Sequence, residues 1–353
     1  LIVGTSAGSG TGATLRYGLS PADHRARLTG RPLSAEGEGL VGDLSHATDF
    51  AEPEPAKGLA ARRPQAPRLV RHGFRRPWPT GLGVGLSGLL PKGTVPISPL
   101  GDKLRLLYGS GWPEQSLWVC TVRMSDGERV VFGRSPLEPG APGCPPLADA
   151  VEASSAIPGY FEPVAIDDEL YLDGAARSST NADLLTGLGY EGVVVISPMS
   201  AVGEALQWHP RWASRAGYHK VLSLEVDALE ASGTPALVFE PTLDDLELMT
   251  GGALDESVEA DLVECAYATA TARLERLGIT DLARSWGRPR RPSARRVSTT
   301  RWREVASIIS LITYILRRGC DMSSAAWWAS ILWGVPAGLR FPHSERCPRR
   351  LIP

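Results

Sequence analysis

A serine between two glycines lies almost at the start of the chain, Gly4-Thr5-Ser6-Ala7-Gly8, directly behind the apolar run Leu1-Ile2-Val3. Glycines flanking a strand-to-helix turn let the backbone adopt a cramped conformation. That conformation lifts a serine Oγ above the sheet edge, at a helix N-terminus that favours negative charge. Chemically this is a nucleophile for acyl transfer; the plainer reading is a structural glycine turn. A hydroxyl attacks slowly at neutral pH unless a base takes its proton. Six histidines are available: His24, His46, His72, His209, His219 and His343. The order serine, acid, histidine admits Ser6, Asp173 and either His209 or His219. However, His209 sits in the aromatic loop QWHPRW and His219 precedes a strand-like run, settings that suit surface or capping roles. Asp173 stands at the end of the apolar ELYLD, with Gly174 offering a turn. An aspartate at a strand terminus points into the cleft at the carboxyl edge of a sheet, where it can hydrogen-bond the serine directly. A carboxylate works as that base only in a preorganised, partly desolvated site.

Positioning these two residues requires strands that end beside each other. Residues 1–3 read as the end of a buried strand, and Ser9–Tyr17 as a helix that Gly10 and Gly12 weaken unless packing requires them. SLWVCTVRM and RVVFG flank Ser125-Asp126-Gly127-Glu128, a hairpin signature. Leu147 to Ser154 reads as a short helix that Pro158 interrupts. ELYLD is a strand, GVVVISP a buried parallel strand and KVLSLEV (Lys220–Val226) a further strand. TLDDLELMTGG and LDESVEADLVECAYATATARLERLG read as helices, and GLGVGLSGLLPKG as an apolar loop or short helix.

The 353 residues can bury a sizeable core, with 43% hydrophobic and 22% charged residues and 38 Gly beside 29 Pro. Five cysteines lie far apart without a CxxC pair, which argues against a disulfide scaffold or a zinc site. The net charge of −2 hides an asymmetry: from Arg284 onward there are 14 Arg against three acids, leaving residues 1–283 at −13. An acidic body does not invite nucleic acid, whereas the basic tail can touch anionic surfaces. Two domains follow: a body over 1–283, with a Pro- and Arg-rich excursion at about 50–80, and a basic, Trp-rich extension over 284–353. The extension's apolar runs fall short of the roughly 20 residues of a membrane span and fit short buried or interfacial helices, so a peripheral membrane contact stays open.

Taken together, GTSAGS (Gly4–Ser9), ASSAIPGYFEPV (Ala153–Val164), YLDGAARSSTNAD (Tyr171–Asp183) and the VVVISP strand resemble the patatin-like phospholipase family, its bacterial members in particular. The resemblance covers roughly residues 1–200, and more loosely the helical region to about 280. It implies an α/β fold, a three-layer α/β/α arrangement with a mostly parallel central sheet. It also implies a Ser–Asp dyad without a catalytic histidine. By that resemblance Ser6 is the nucleophile, in the motif formed with Gly4, Thr5, Ala7 and Gly8. Asp173 is the proton acceptor, in the motif completed by Gly174 and Ala175. The implied reaction is hydrolysis of a phospholipid, another lipid ester or a small ester through an acyl-enzyme, with no metal and no cofactor. The expected setting is the cytoplasm or the membrane periphery, and nothing indicates an oligomeric state. Ala153–Pro158 are expected to shape the pocket wall, and Asn181 and Arg177 to stabilise the loop after the aspartate.

One departure from the family pattern sets a further expectation. The family places a glycine-rich loop, whose N–H groups form the oxyanion hole, a few tens of residues before the serine. Here three residues precede Gly4, and Gly81-Leu82-Gly83-Val84-Gly85 has neither the charged residue nor the chain position. Losing one oxyanion donor costs about 10²–10³ in turnover. The expectation is therefore an N-terminally incomplete hydrolase with unassigned oxyanion donors, weakly active or inactive as it stands. The alternative is a catalytically impaired patatin-like protein with a lipid-binding or regulatory role.

Overall fold

The computed structural model describes residues 1–41, 64–73, 75, 80–201, 213–249 and 256–277. The extension over 284–353, His209 and most of the excursion at 50–80 lie outside the described residues. The first strand and helix are β1 (Ile2–Thr5) and α1 (Ala7–Tyr17), followed by α2 (Pro21–Leu28) and α3 (Ala35–Val41). Next come α4 (Pro67–Gly73), α5 (Thr80–Leu89) and α6 (Ser98–Tyr108). The central strands are β2 (Leu117–Arg123) and β3 (Arg129–Phe132), then α7 (Leu147–Ser155), β4 (Val164–Ile166) and β5 (Glu169–Asp173). The chain continues through β6 (Val193–Ile196), α8 (Ala213–Ala231), β7 (Ala236–Phe239), α9 (Leu243–Met249) and α10 (Glu256–Leu277).

The main sheet runs β1-β2-β5-β4, with β3 also on β2. It is mixed: β1 and β2 are parallel, whereas β2 pairs antiparallel with both β3 and β5, and β4 with β5. The antiparallel members come from two hairpins, each turned by a residue at positive φ, Gly127 in one and Asp167 in the other. The parallel pair β6–β7 forms a second, two-stranded sheet.

Alternation along β2 makes the layers. Leu117 and Val119 face a core with Ala13 of α1, Leu104 of α6 and Val151 of α7. Val122 turns to the other face and packs with Leu69 of α4, Val84 of α5 and Leu172 of β5. Neighbouring Tyr171 and Leu172 divide between the same two cores, as the period of two requires. Helices therefore cover both faces, giving the α/β/α architecture. The small sheet repeats the pattern, with α8 on one face and α10 on the other.

One expected strand is a helix. Lys220–Val226 lies inside α8. Its Leu222, Leu224 and Val226 alternate like a strand, but Leu224 is exposed, and the buried set is Val221, Leu222, Glu225 and Leu229. That spacing has the helical period, and it becomes visible only when the window reaches Leu229.

Candidate active site

Strand register brings the two chemical residues together. Thr5 at the end of β1 pairs with Cys120, and the next residue of β2, Thr121, pairs with Asp173 at the end of β5. Ser6 and Asp173 therefore leave the sheet at the same level, on either side of β2. Gly174 closes the remaining gap. A Cβ there would lie 2.4 Å from the Cys120 carbonyl oxygen, so only a glycine lets the chain pass so closely over β2. The Ser6 hydroxyl favours the ionised form of the Asp173 carboxyl, which also accepts the Ala175 N–H at 2.8 Å.

Ser6 has φ 54° and ψ −129°, a backbone conformation rare for a residue with a side chain and costing of order 1–3 kcal/mol. The surroundings hold it there. Its N–H donates to Ser154 Oγ at 2.9 Å, and Ser154 Oγ donates to the Cys120 carbonyl at 2.7 Å. Its carbonyl accepts from the Ser9 N–H at 2.8 Å and from Ser9 Oγ at 2.6 Å. Gly4 is needed for contact, since a Cβ there would stand 2.5 Å from the Ser9 Cα. Gly8 differs: a Cβ would meet nothing within 4 Å, so the first turn of α1 borders open space. The N–H groups of Ala7 and Gly8 head that helix and have no hydrogen-bond partner among the described residues.

Burial is the main influence on Asp173, only 3% exposed, and pushes its carboxyl up to about 7 against the opposing influence of the Ser6 hydroxyl and the Ala175 N–H. Cys120 beneath it is fully buried, its thiol pushed up to about 12 by desolvation, so it is inert packing. Among the described residues no histidine bonds to Ser6 or Asp173. His219, on α8, has its Nδ1 2.8 Å from Glu240 Oε1.

Behind the pair, the loop after Asp173 is tied on two sides. Asn181 is fully buried in the left-handed region, its amide donating to Thr5 Oγ1 at 3.0 Å and to the Ser178 carbonyl at 2.7 Å. Its Oδ1 accepts from Arg129, whose guanidinium also grips Asp183 at 2.6 and 2.9 Å. On the other side buried Glu225 of α8 accepts from Thr180 Oγ1 and from the Ala182 N–H. The expected loop-stabilising role of Asn181 is thus joined by a second one, a tether to β1. For Arg177 the visible role is electrostatic, its charge favouring the Asp183 carboxylate. Ser154 is the residue that sequence reasoning underused: it fastens the Ser6 backbone. Nothing in ASSA distinguishes it from small-residue packing, and only the pairing of α7 with the sheet reveals it. Its neighbour Ser155 is buried, with a hydroxyl lacking any hydrogen-bond partner among the described residues.

A serine on a strained strand-to-helix elbow thus stands beside a buried aspartate within α/β/α layers. The patatin-like phospholipase family model matches residues 144–186, the stretch holding α7, β4, β5 and the loop beyond Asp173. Over that stretch the chain is similar to a family of lipid acyl hydrolases. No curated protein matches the chain.

Proposed function

We propose that the protein is a serine hydrolase of lipid esters that works through a Ser6–Asp173 dyad. The observation that carries this reading is the strand register that sets Ser6, on its strained elbow, and the buried Asp173 at the same level on either side of β2. Ionised Asp173 takes the Oγ proton as Oγ attacks the ester carbonyl carbon. The carbonyl oxygen becomes an oxyanion, for which the free N–H groups of Ala7 and Gly8 and the helix dipole behind them are the available donors. Collapse breaks the bond to the leaving alcohol, which departs with the proton from Asp173. Water then attacks the acyl-Ser6 ester, again deprotonated by Asp173, and the acid is released with Ser6 restored. A base titrating at about 7 is matched to this work near neutral pH.

The test is labelling of the full chain by a fluorophosphonate, followed by peptide mapping. Modification of Ser6, with loss of labelling and esterase activity in Ser6→Ala and Asp173→Asn but not in His219→Ala, supports the dyad. Full activity in Asp173→Asn would overturn it. Folded protein that neither labels nor hydrolyses short-chain esters, phospholipids or glycerides would favour a non-enzymatic patatin-like role.

A further inference from the structure

Charge is distributed unevenly within the acidic body. Residues 55–101 contain eight Lys or Arg and no Asp or Glu, whereas the rest of 1–283 carries a net −21. The described part of this stretch is built around α4 and α5, which pack on each other beside the sheet through Leu69 and Val84. Helix α5 has no charged residue, and its outer side is apolar: Leu82 and Leu89 are 38% and 44% exposed. With half-buried Leu86 between them, the helical period aligns them in one stripe. The same helix pair and its flanks carry exposed cations, Arg68 and Arg71 on α4, Arg75 just beyond it and Lys92 after α5. None of the four has an ion-pair partner among the described residues.

This face adjoins the candidate site. A Cβ on Gly83 would lie 2.3 Å from the Ala176 carbonyl oxygen, so α5 rides directly on the turn that follows Asp173.

We propose that the α4–α5 face docks the protein on an anionic lipid surface, with Leu82, Leu86 and Leu89 entering the interface and the four cations meeting lipid phosphates. Leucines in a row have no role in neutralising a nucleic acid backbone, whereas an apolar stripe on a helix pair that carries only cations matches the acyl boundary below a charged headgroup layer. The proposal rests on the lipid-ester reading of the site for its purpose, since a docked α5 brings the elbow next to the substrate's phase.

The test is sedimentation with sucrose-loaded vesicles of phosphatidylcholine, with or without about 30% phosphatidylglycerol, as the anionic lipid. Full-length Ser6→Ala protein is used, so binding is read without hydrolysis and a failure of docking is separable from a failure of the dyad. Arg68→Glu/Arg71→Glu is expected to lower partitioning onto the anionic vesicles roughly tenfold or more. Leu82→Ser/Leu89→Ser is expected to lower it by a similar factor, through the loss of buried apolar surface. The basic C-terminal extension is common to all variants, so the differences belong to this face. All four positions are exposed, and unchanged thermal unfolding checks that the variants fold. Undiminished binding in either folded variant overturns the proposal. So does a dimer that dissociates in the leucine variant while vesicle binding persists, because the face would then belong to a second copy.

Discussion

The amide of Asn181 donates to Thr5 Oγ1 at 3.0 Å across 176 residues of chain, one peptide bond before the candidate nucleophile. Thr5 cannot shift without moving Ser6, and Asn181 is held by Arg129 and by its own left-handed backbone. The elbow is thereby referenced to the loop that carries Asp173. Thr5→Val keeps the volume and removes the acceptor, so it is expected to cost about 1–2 kcal/mol of stability. If the tether positions the nucleophile, kcat falls while KM stays near its original value. Thr5→Ser restores the acceptor and is expected to recover kcat, which a merely structural defect from the lost methyl would prevent. Steady-state kinetics on a soluble ester beside urea unfolding separates the two effects.

Ser154 fastens the same elbow from the helix side. Ser154→Ala leaves the Ser6 N–H and the Cys120 carbonyl without this partner in a fully buried place. The expected loss is about 1–3 kcal/mol in urea unfolding. The strained Ser6 conformation then relaxes more easily, so fluorophosphonate labelling is expected to slow well beyond what the stability loss explains. Labelling at the rate of the unaltered protein would show that the clamp does not govern the elbow.

Much of the site could be read from residue order, and its assembly could not. G-x-S-x-G and Asp-Gly-Ala each mark a turn by local chemistry, and the Ser125–Glu128 hairpin is equally local. That β2 lies between β1 and β5 is a long-range pairing with no signature in any single segment. The same holds for Ser154 and Asn181, whose partners lie 148 and 176 residues away. Asn181 is expected from the sequence to stabilise the loop after the aspartate, but its residue type does not name the strand it grips. Lys220–Val226 failed for the opposite reason: a short window holds both periods, and only the longer one includes Leu229.

The proposed base predicts a pH profile. The proposed mechanism needs Asp173 ionised, and burial holds its carboxyl at about 7. Single-turnover labelling of Ser6 is therefore expected to rise through neutral pH with a midpoint near that value, rather than near an ordinary carboxylate's 3.8. Rates measured between pH 5 and 9, about two units on either side of the midpoint, define it. A plateau already reached at pH 5 would show that Asp173 is not the group being titrated.

Stability supplies the last prediction, because two buried groups tilt it in opposite directions. Asp173 has a raised carboxyl, so the native state holds its proton more tightly than the unfolded chain. Its contribution is fully present below 3.8 and is lost as pH rises through about 7. Asp173→Asn keeps the acceptor for Ala175 and cannot ionise. Its stability relative to the parent is expected to climb over that range by up to about 4 kcal/mol. His24 is the mirror case. Burial, with help from the Arg27 charge and against that of Asp23, lowers its imidazole to about 3. The unfolded chain therefore binds the proton first, and stability is lost as pH falls from 6.5 towards 3. His24 Nε2 has no hydrogen-bond partner among the described residues, so His24→Leu gives up little there and removes the acid penalty. Difference curves from urea unfolding are expected to rise with pH for Asp173→Asn and to rise with acid for His24→Leu. Equal slopes in the two curves would mean that burial does not set both protonation states.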